Sequence, residues 1–134
     1  MSGRPDVLEE VYRHVLRLAV SRYRDVVRAV ARVESGSGVL VKVRVVFVDE
    51  SFLDVYWSPT GRYSLHYERR HVDGTVYRHD NAPHWRHRRL RTFPKQFHAG
   101  SEDNVEESRL PDDPLEAVEA FLRFIERVVK QREE

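Results

Sequence analysis

The stretch VLVKVRVVFVDESFLDVYWSPTGRYSLHYERRHVDGTVYRHD, residues 39–80, decides the fold. Its first ten residues alternate and are rich in valine, with Val39, Val41, Val43, Val45 and Phe47 on one side. Branching at Cβ suits a pleated strand, and Leu40, Val46 and Val48 make the second side partly apolar, as in a central strand. Asp49-Glu50-Ser51 forms a turn and Phe52 to Trp57 a second strand. Ser58-Pro59-Thr60-Gly61 is a turn by composition. Tyr63, Leu65 and Tyr67 then alternate with Arg62, Ser64, His66 and Glu68. Asp73-Gly74 is a hairpin signal, and Thr75 to His79 returns as a strand. Connections this short join antiparallel neighbours, so residues 38–80 are expected to form a meander sheet.

On the N-terminal side, Leu8, Val11, Val15, Leu18, Ala19, Val26, Val30 and Val33 recur at helical spacing. They predict one helix over residues 6–33, with Pro5 in its first turn, a bend near Ser21 and a stop at Gly36 and Gly38. Arg13, Arg17, Arg24 and Arg28 would then form one stripe, either a solvated face or an extension of a cationic surface. On the C-terminal side, Asp113-Pro114-Leu115-Glu116 reads as N-cap, first helical proline and capping-box glutamate, opening a helix over residues 113–131. Its apolar arc of Leu115, Val118, Phe121, Leu122, Ile125, Val128 and Val129 is widened by Phe124. Such an arc fits a deep groove in the core or a contact with a second copy of the chain. The expected fold is a single α+β domain over residues 1–134. It has an antiparallel four- to five-stranded meander sheet with N- and C-terminal helices packed on one face.

With 134 residues, 40% hydrophobic and 34% charged, the chain is long enough for one core and too apolar for disorder. Lys42 and Arg44 break the longest apolar run, which excludes a bilayer span. Glu9 and Glu10 interrupt any secretory signal, so a cytoplasmic location is expected. The absence of cysteine removes disulfides, thiol nucleophiles, cysteine-based zinc sites and iron–sulfur clusters. Twenty arginines against three lysines, with two asparagines and two glutamines, fit both a heat-adapted protein and GC-rich coding. The net charge of +1 conceals a division. Residues 62–98 carry +6 and residues 101–134 carry −6. Either the two parts neutralise each other in the fold, or the middle presents a cationic surface to phosphate or an acidic partner.

Residues 80–108 have no convincing period beyond a short strand near Asn104 to Ser108, and a loop of that length usually carries function. Four of the seven histidines, His79, His84, His87 and His98, lie within twenty residues, and no carboxylate intervenes between Asp80 and Glu102. Imidazole moves protons near neutral pH, while arginine offers planar charged donors that match phosphate oxygens. Histidines among arginines are what metal-free RNA cleavage uses. On that reading His84 and His98 would form the acid/base pair, His79 is a further catalytic candidate, and Asp80 or Asn81 would orient a histidine. Arg78, Arg86, Arg88, Arg89, Arg91 and Lys95 hold phosphate, and Trp85 is available to stack on a base. No cofactor is expected. Each residue also has a plainer reading. His79 ends a strand and would point at solvent, Asp80-Asn81 would form an Asx turn, the arginines would be a solvated loop, and Trp85 would be buried. Asp80, His84 and His98 would suit Zn²⁺ or Mn²⁺, but their spacing matches no dedicated zinc pattern and the arginines oppose a dication.

Asp80-Asn81-Ala82-Pro83-His84, Thr92-Phe93-Pro94, His98 and Gly100 together resemble the TumE-type toxins of prokaryotic toxin–antitoxin modules. The likeness covers roughly residues 39–130 and includes Tyr63, Tyr67, Gly74, Arg78 and the acidic C-terminal helix. The family often has a second histidine after the first and a histidine-rich stretch after its Phe-Pro. Trp85 and Lys95-Gln96-Phe97 stand there instead, which counts against a multi-histidine metal site. The resemblance implies a small cytoplasmic toxin restrained by a cognate antitoxin. RNA as target is read from the residue chemistry, with a non-catalytic basic binding module and a homodimeric interaction protein as the competing readings.

Overall fold

A computed structural model describes residues 7–133, so the first-turn place expected of Pro5 lies outside the described residues. The order is α1 (Val7–Ala19), β1 (Val27–Glu34), β2 (Leu40–Phe47), β3 (Phe52–Trp57), β4 (Tyr63–Arg69), α2 (Arg70–Asp73) and β5 (Thr75–Asp80). A 3₁₀ turn at Trp85–His87, β6 (Gln96–Gly100), β7 (Val105–Glu107) and α3 (Pro114–Glu133) follow. The described strands form one antiparallel sheet of seven in chain order. The fold is the α+β meander expected, with more strands than four or five.

Two strands were hidden in the sequence. Val26, Val30 and Val33 do not continue the first helix, because α1 ends at Ala19. The Ser21 hydroxyl donates to the Arg17 carbonyl, Tyr23 N–H donates to Leu18 O, and Val27 N–H to Tyr23 O, which closes a turn. The four-residue step from Val26 to Val30 satisfies both a helical turn and two strand repeats, and the three-residue step to Val33 fits only the helix, so the spacing alone pointed to the wrong element. Pairing with β2, Val30 against Val45 and Arg32 against Val43, decides for the strand. Arg24 and Arg28 therefore leave the helical stripe expected of them: Arg28 sits on β1 and Arg24 in the connecting turn. The second hidden strand, β6, contains Gln96, His98 and Gly100, none of them a strong strand former. It exists because β5 offers it an edge, with Arg78 opposite His98 and Asp80 opposite Gln96.

The pleat sorts side chains onto two faces. Val43, Val45, Phe47, Leu53, Val55, Trp57, Tyr63, Leu65 and Tyr67 are buried on one of them, under Val11 and Val15 of α1 and Val118, Phe121, Leu122 and Ile125 of α3. Arg32 anchors α1 to the edge strand by a bidentate bond to Glu9, with both distances 2.9 Å. Asp113 caps α3 as expected, its carboxylate accepting the Glu116 N–H at 3.1 Å. Phe124 finds its use inside the chain, its ring 5.1 Å from that of Tyr77 and 6.2 Å from that of Phe97. At the β4–β5 connection a helical turn precedes Gly74, whose φ of +83° closes it, a conformation that glycine adopts without a Cβ penalty. No helix among the described residues is long and apolar enough to cross a membrane.

Candidate functional site

The opposite face of the sheet carries a polar row. Arg44, Asp54, His66, Arg78 and His98 are paired directly across β2 to β6. At the β2 end the row neutralises itself, since Asp54 accepts from Arg44 at 2.8 Å and from Lys42 at 2.9 Å. At the β6 end it becomes a built site. Arg78 donates through Nε to Asp80 at 2.9 Å and through Nη1 to both oxygens of Glu102 at 2.7 Å. Its Nη2 lies 3.0 Å from His98 Nε2.

These contacts assign the His98 ring. Its Nδ1 lies 2.8 Å from the Glu102 carbonyl oxygen, which can only accept, so Nδ1 carries the proton. Arginine can only donate, so Nε2 presents its lone pair to Arg78 and the imidazole is neutral. Asp80 Oδ2, 3.6 Å from Nε2, stands ready to stabilise a proton gained there. The Asp80 carboxylate is buried and also accepts from Gln96 Nε2 at 2.8 Å and Ala82 N–H at 3.0 Å. Burial pushes its pKa up, but the bonds from Arg78, Gln96 and Ala82 outweigh that and hold it below the ordinary carboxylate value.

Above this network the loop after β5 folds over the sheet face. His84, Trp85, Arg86 and His87 from the loop, with His98 and Glu102 from below, line a cleft of about 400 Å³. The two distant histidines thus share one cleft, and the His87 ring lies 6.4 Å from that of His84. Arg86, Arg88, Arg89 and Arg91 are all exposed. Among the described residues Arg86, Arg89 and Arg91 have no carboxylate within 4 Å, while Arg78 and Lys95 are paired with Glu102 and Asp112 of the acidic part. Charge compensation therefore covers the strands and leaves the loop cationic.

Other residues singled out in the sequence are placed elsewhere. Lys95 is tied to the segment before α3, donating to the Leu110 carbonyl at 2.6 Å. Asn81 braces the β3–β4 turn, accepting from Tyr63 N–H and donating to Gly61 O, both at 2.9 Å, and touches no histidine. Trp85 is 73% exposed rather than buried. His79 is one residue out of register with the site, so the pleat turns it to the helix side. It is buried there, neither in the cleft nor pointing at solvent, stacked 4.0 Å from Phe97 with Nδ1 bonded to Ser108 at 2.8 Å. Glu102 and Gln96 carry no local signal of a role, because each meets its partners only across the sheet, while His87, one of the clustered histidines, reaches the cleft without an assigned role. The one available signal for Glu102 was its position as the first carboxylate after Asp80.

Burial pushes the His79 imidazole down to about 3. The unfolded chain then binds a proton below about pH 6.5 that the folded chain refuses. Stability is full above that pH and falls towards pH 3, by up to about 1.4 kcal/mol per pH unit. Urea unfolding between pH 7.5 and 4.5 should show this slope, and His79→Phe should flatten it. Equal slopes in both proteins would contradict the assignment.

Among the described residues, no group of three or more histidine or carboxylate side chains is placed to hold a metal ion. No curated protein and no solved structure matches the chain. The sequence model of the family described as toxin TumE does match, over residues 11–129. A match over that share of the sequence, running from α1 through the sheet and cleft into α3, means that the chain belongs to the TumE toxin family.

Proposed function

We propose that this toxin is a ribonuclease that works without a metal ion and is held in check by a cognate antitoxin. The observation that carries the reading is the shared cleft, with His84 and His98 on its walls and an unneutralised arginine loop at its rim. His98 enters as the base, because Nε2 bears the lone pair. It takes the proton of a ribose 2′-hydroxyl as that oxygen attacks the adjacent phosphorus. The P–O5′ bond breaks, and protonated His84 gives its proton to the departing 5′-oxygen. The products are a 2′,3′-cyclic phosphate and a 5′-hydroxyl end. Phosphate in the cleft competes with Glu102 and His98 for Arg78, which frees Nε2 and brings a guanidinium to the charge building on phosphorus.

Purified toxin incubated with RNA in excess chelator is expected to cut it, leaving cyclic phosphate ends. His84→Ala and His98→Ala are each expected to slow cutting about a hundredfold or more. Intact RNA, or cutting that the double substitution leaves unchanged, would reject the proposal. One observation favours a second reading, a binding module without chemistry: the His98 lone pair is already engaged by Arg78. That reading predicts binding that survives both histidine substitutions, yet weakens and loses salt dependence when Arg88 and Arg89 become alanine.

A further inference from the structure

Trp85 is the most exposed large aromatic of the site, and its exposure has a direction. The Arg88 guanidinium lies over the indole, 4.6 Å from the ring centroid, and Arg88 Nη1 also donates to the Trp85 carbonyl at 3.1 Å. One face of the ring is thus covered by a cation held in place by the 3₁₀ turn, whose Arg88 N–H bonds back to Trp85 O. A ring covered on one face and still 73% exposed offers its other face and edges to solvent. Trp85 also lines the cleft that holds His84 and His98.

We infer that the substrate is single-stranded RNA and that the open face of Trp85 seats one unpaired base beside the phosphate to be cut. This rests on the ribonuclease reading and adds to it the state of the nucleic acid. Stacking on an aromatic face tolerates any base, because every base has a π-face. It requires a free face, which a base inside a duplex has already given to its neighbours. The Arg88 guanidinium behind the ring limits its rotation, so the platform stands ready before the strand arrives, and the arginines beside it track the backbone on either side.

The test separates binding from cutting by using a 2′-O-methyl oligonucleotide, which has no free 2′-hydroxyl to attack phosphorus. Tryptophan emission reports the contact directly, since the second tryptophan, Trp57, is buried and stacked on Tyr63 at 4.6 Å. The single strand is expected to quench emission of the native toxin, and the same strand annealed to its complement is not. Trp85→Ala should bind the single strand about ten- to a hundredfold more weakly, while Trp85→Phe stays close to native affinity. Equal binding of single strand and duplex, native affinity in Trp85→Ala, or no binding at all would overturn the inference. If the single strand binds and quenches but natural RNA stays intact, the platform stands and the ribonuclease reading falls. If natural RNA is cut equally well by Trp85→Ala, the reverse holds.

Discussion

Replacing Arg69 by alanine is expected to cost about 3–5 kcal/mol of folding stability and to lower the thermal midpoint by roughly 10 °C or more. Arg69 ends β4 on the core-facing side and is fully buried. It donates to Asp49 at 2.7 Å, to Asp73 at 3.1 Å and to the Tyr67 hydroxyl at 2.7 Å. Those partners lie in the β2–β3 turn, the β4–β5 connection and the core, so one guanidinium ties two turns to the sheet. Truncation takes away the guanidinium that the largely buried Asp49 and Asp73 carboxylates both bond, and leaves a void the size of the side chain. Arg69→Met, which restores much of the volume, separates the two contributions. If charge dominates, methionine recovers little; if packing dominates, it recovers most. A loss under about 1 kcal/mol in the alanine protein, measured by urea unfolding, would show that the turns hold without the clamp.

Asp80 should couple stability to activity. Asp80→Ala removes the acceptor for Arg78 Nε, Gln96 Nε2 and the Ala82 N–H at once, leaving buried donors unmet. The expected cost is about 3 kcal/mol. Arg78 is then released from one side and His98 loses its fixed neighbour, so under the proposed ribonuclease reading RNA cutting should fall further than the folded fraction does. Asp80→Asn keeps an oxygen for Gln96 and Ala82 but sets an N–H against Arg78. Intermediate stability with activity as low as in the alanine protein would mark the ion pair as what positions the site. Because the folded chain holds this carboxyl below its ordinary value, its share of stability is complete above about pH 4 and fades as pH falls. Full activity in both variants, measured where they remain folded, would remove Asp80 from the site.

Much of the architecture was open to sequence reasoning because local rules and tertiary packing agreed. The valine alternation of β2, the turn at Ser58–Gly61 and the cap at Asp113 each stand where periodicity and turn chemistry put them, while Asp73-Gly74 closes a helical turn between β4 and β5 rather than a two-residue hairpin. The failures fall where local signal is ambiguous or weak. Val26, Val30 and Val33 follow the helical spacing better than the strand's, and β6 has little strand propensity of its own. Both segments became strands because a neighbouring edge supplied backbone partners, information that lies far away along the chain.

The site divides in the same way. The sequence alone determined the chemical vocabulary: no thiols, clustered imidazoles, an arginine loop without local carboxylates, and enough of the family's motif to be recognised. Tertiary structure decided which members of that vocabulary meet. His79 and His98 both lie on strands, yet the two-residue period of the pleat sends one under the helices and the other to the cleft. Pairing of β5 with β6 then carries His98 to Arg78 across twenty residues of sequence, and the turn beyond β6 brings Glu102 back to both. Residue type is written locally, but proximity across a sheet is set by register, which depends on the whole meander being folded.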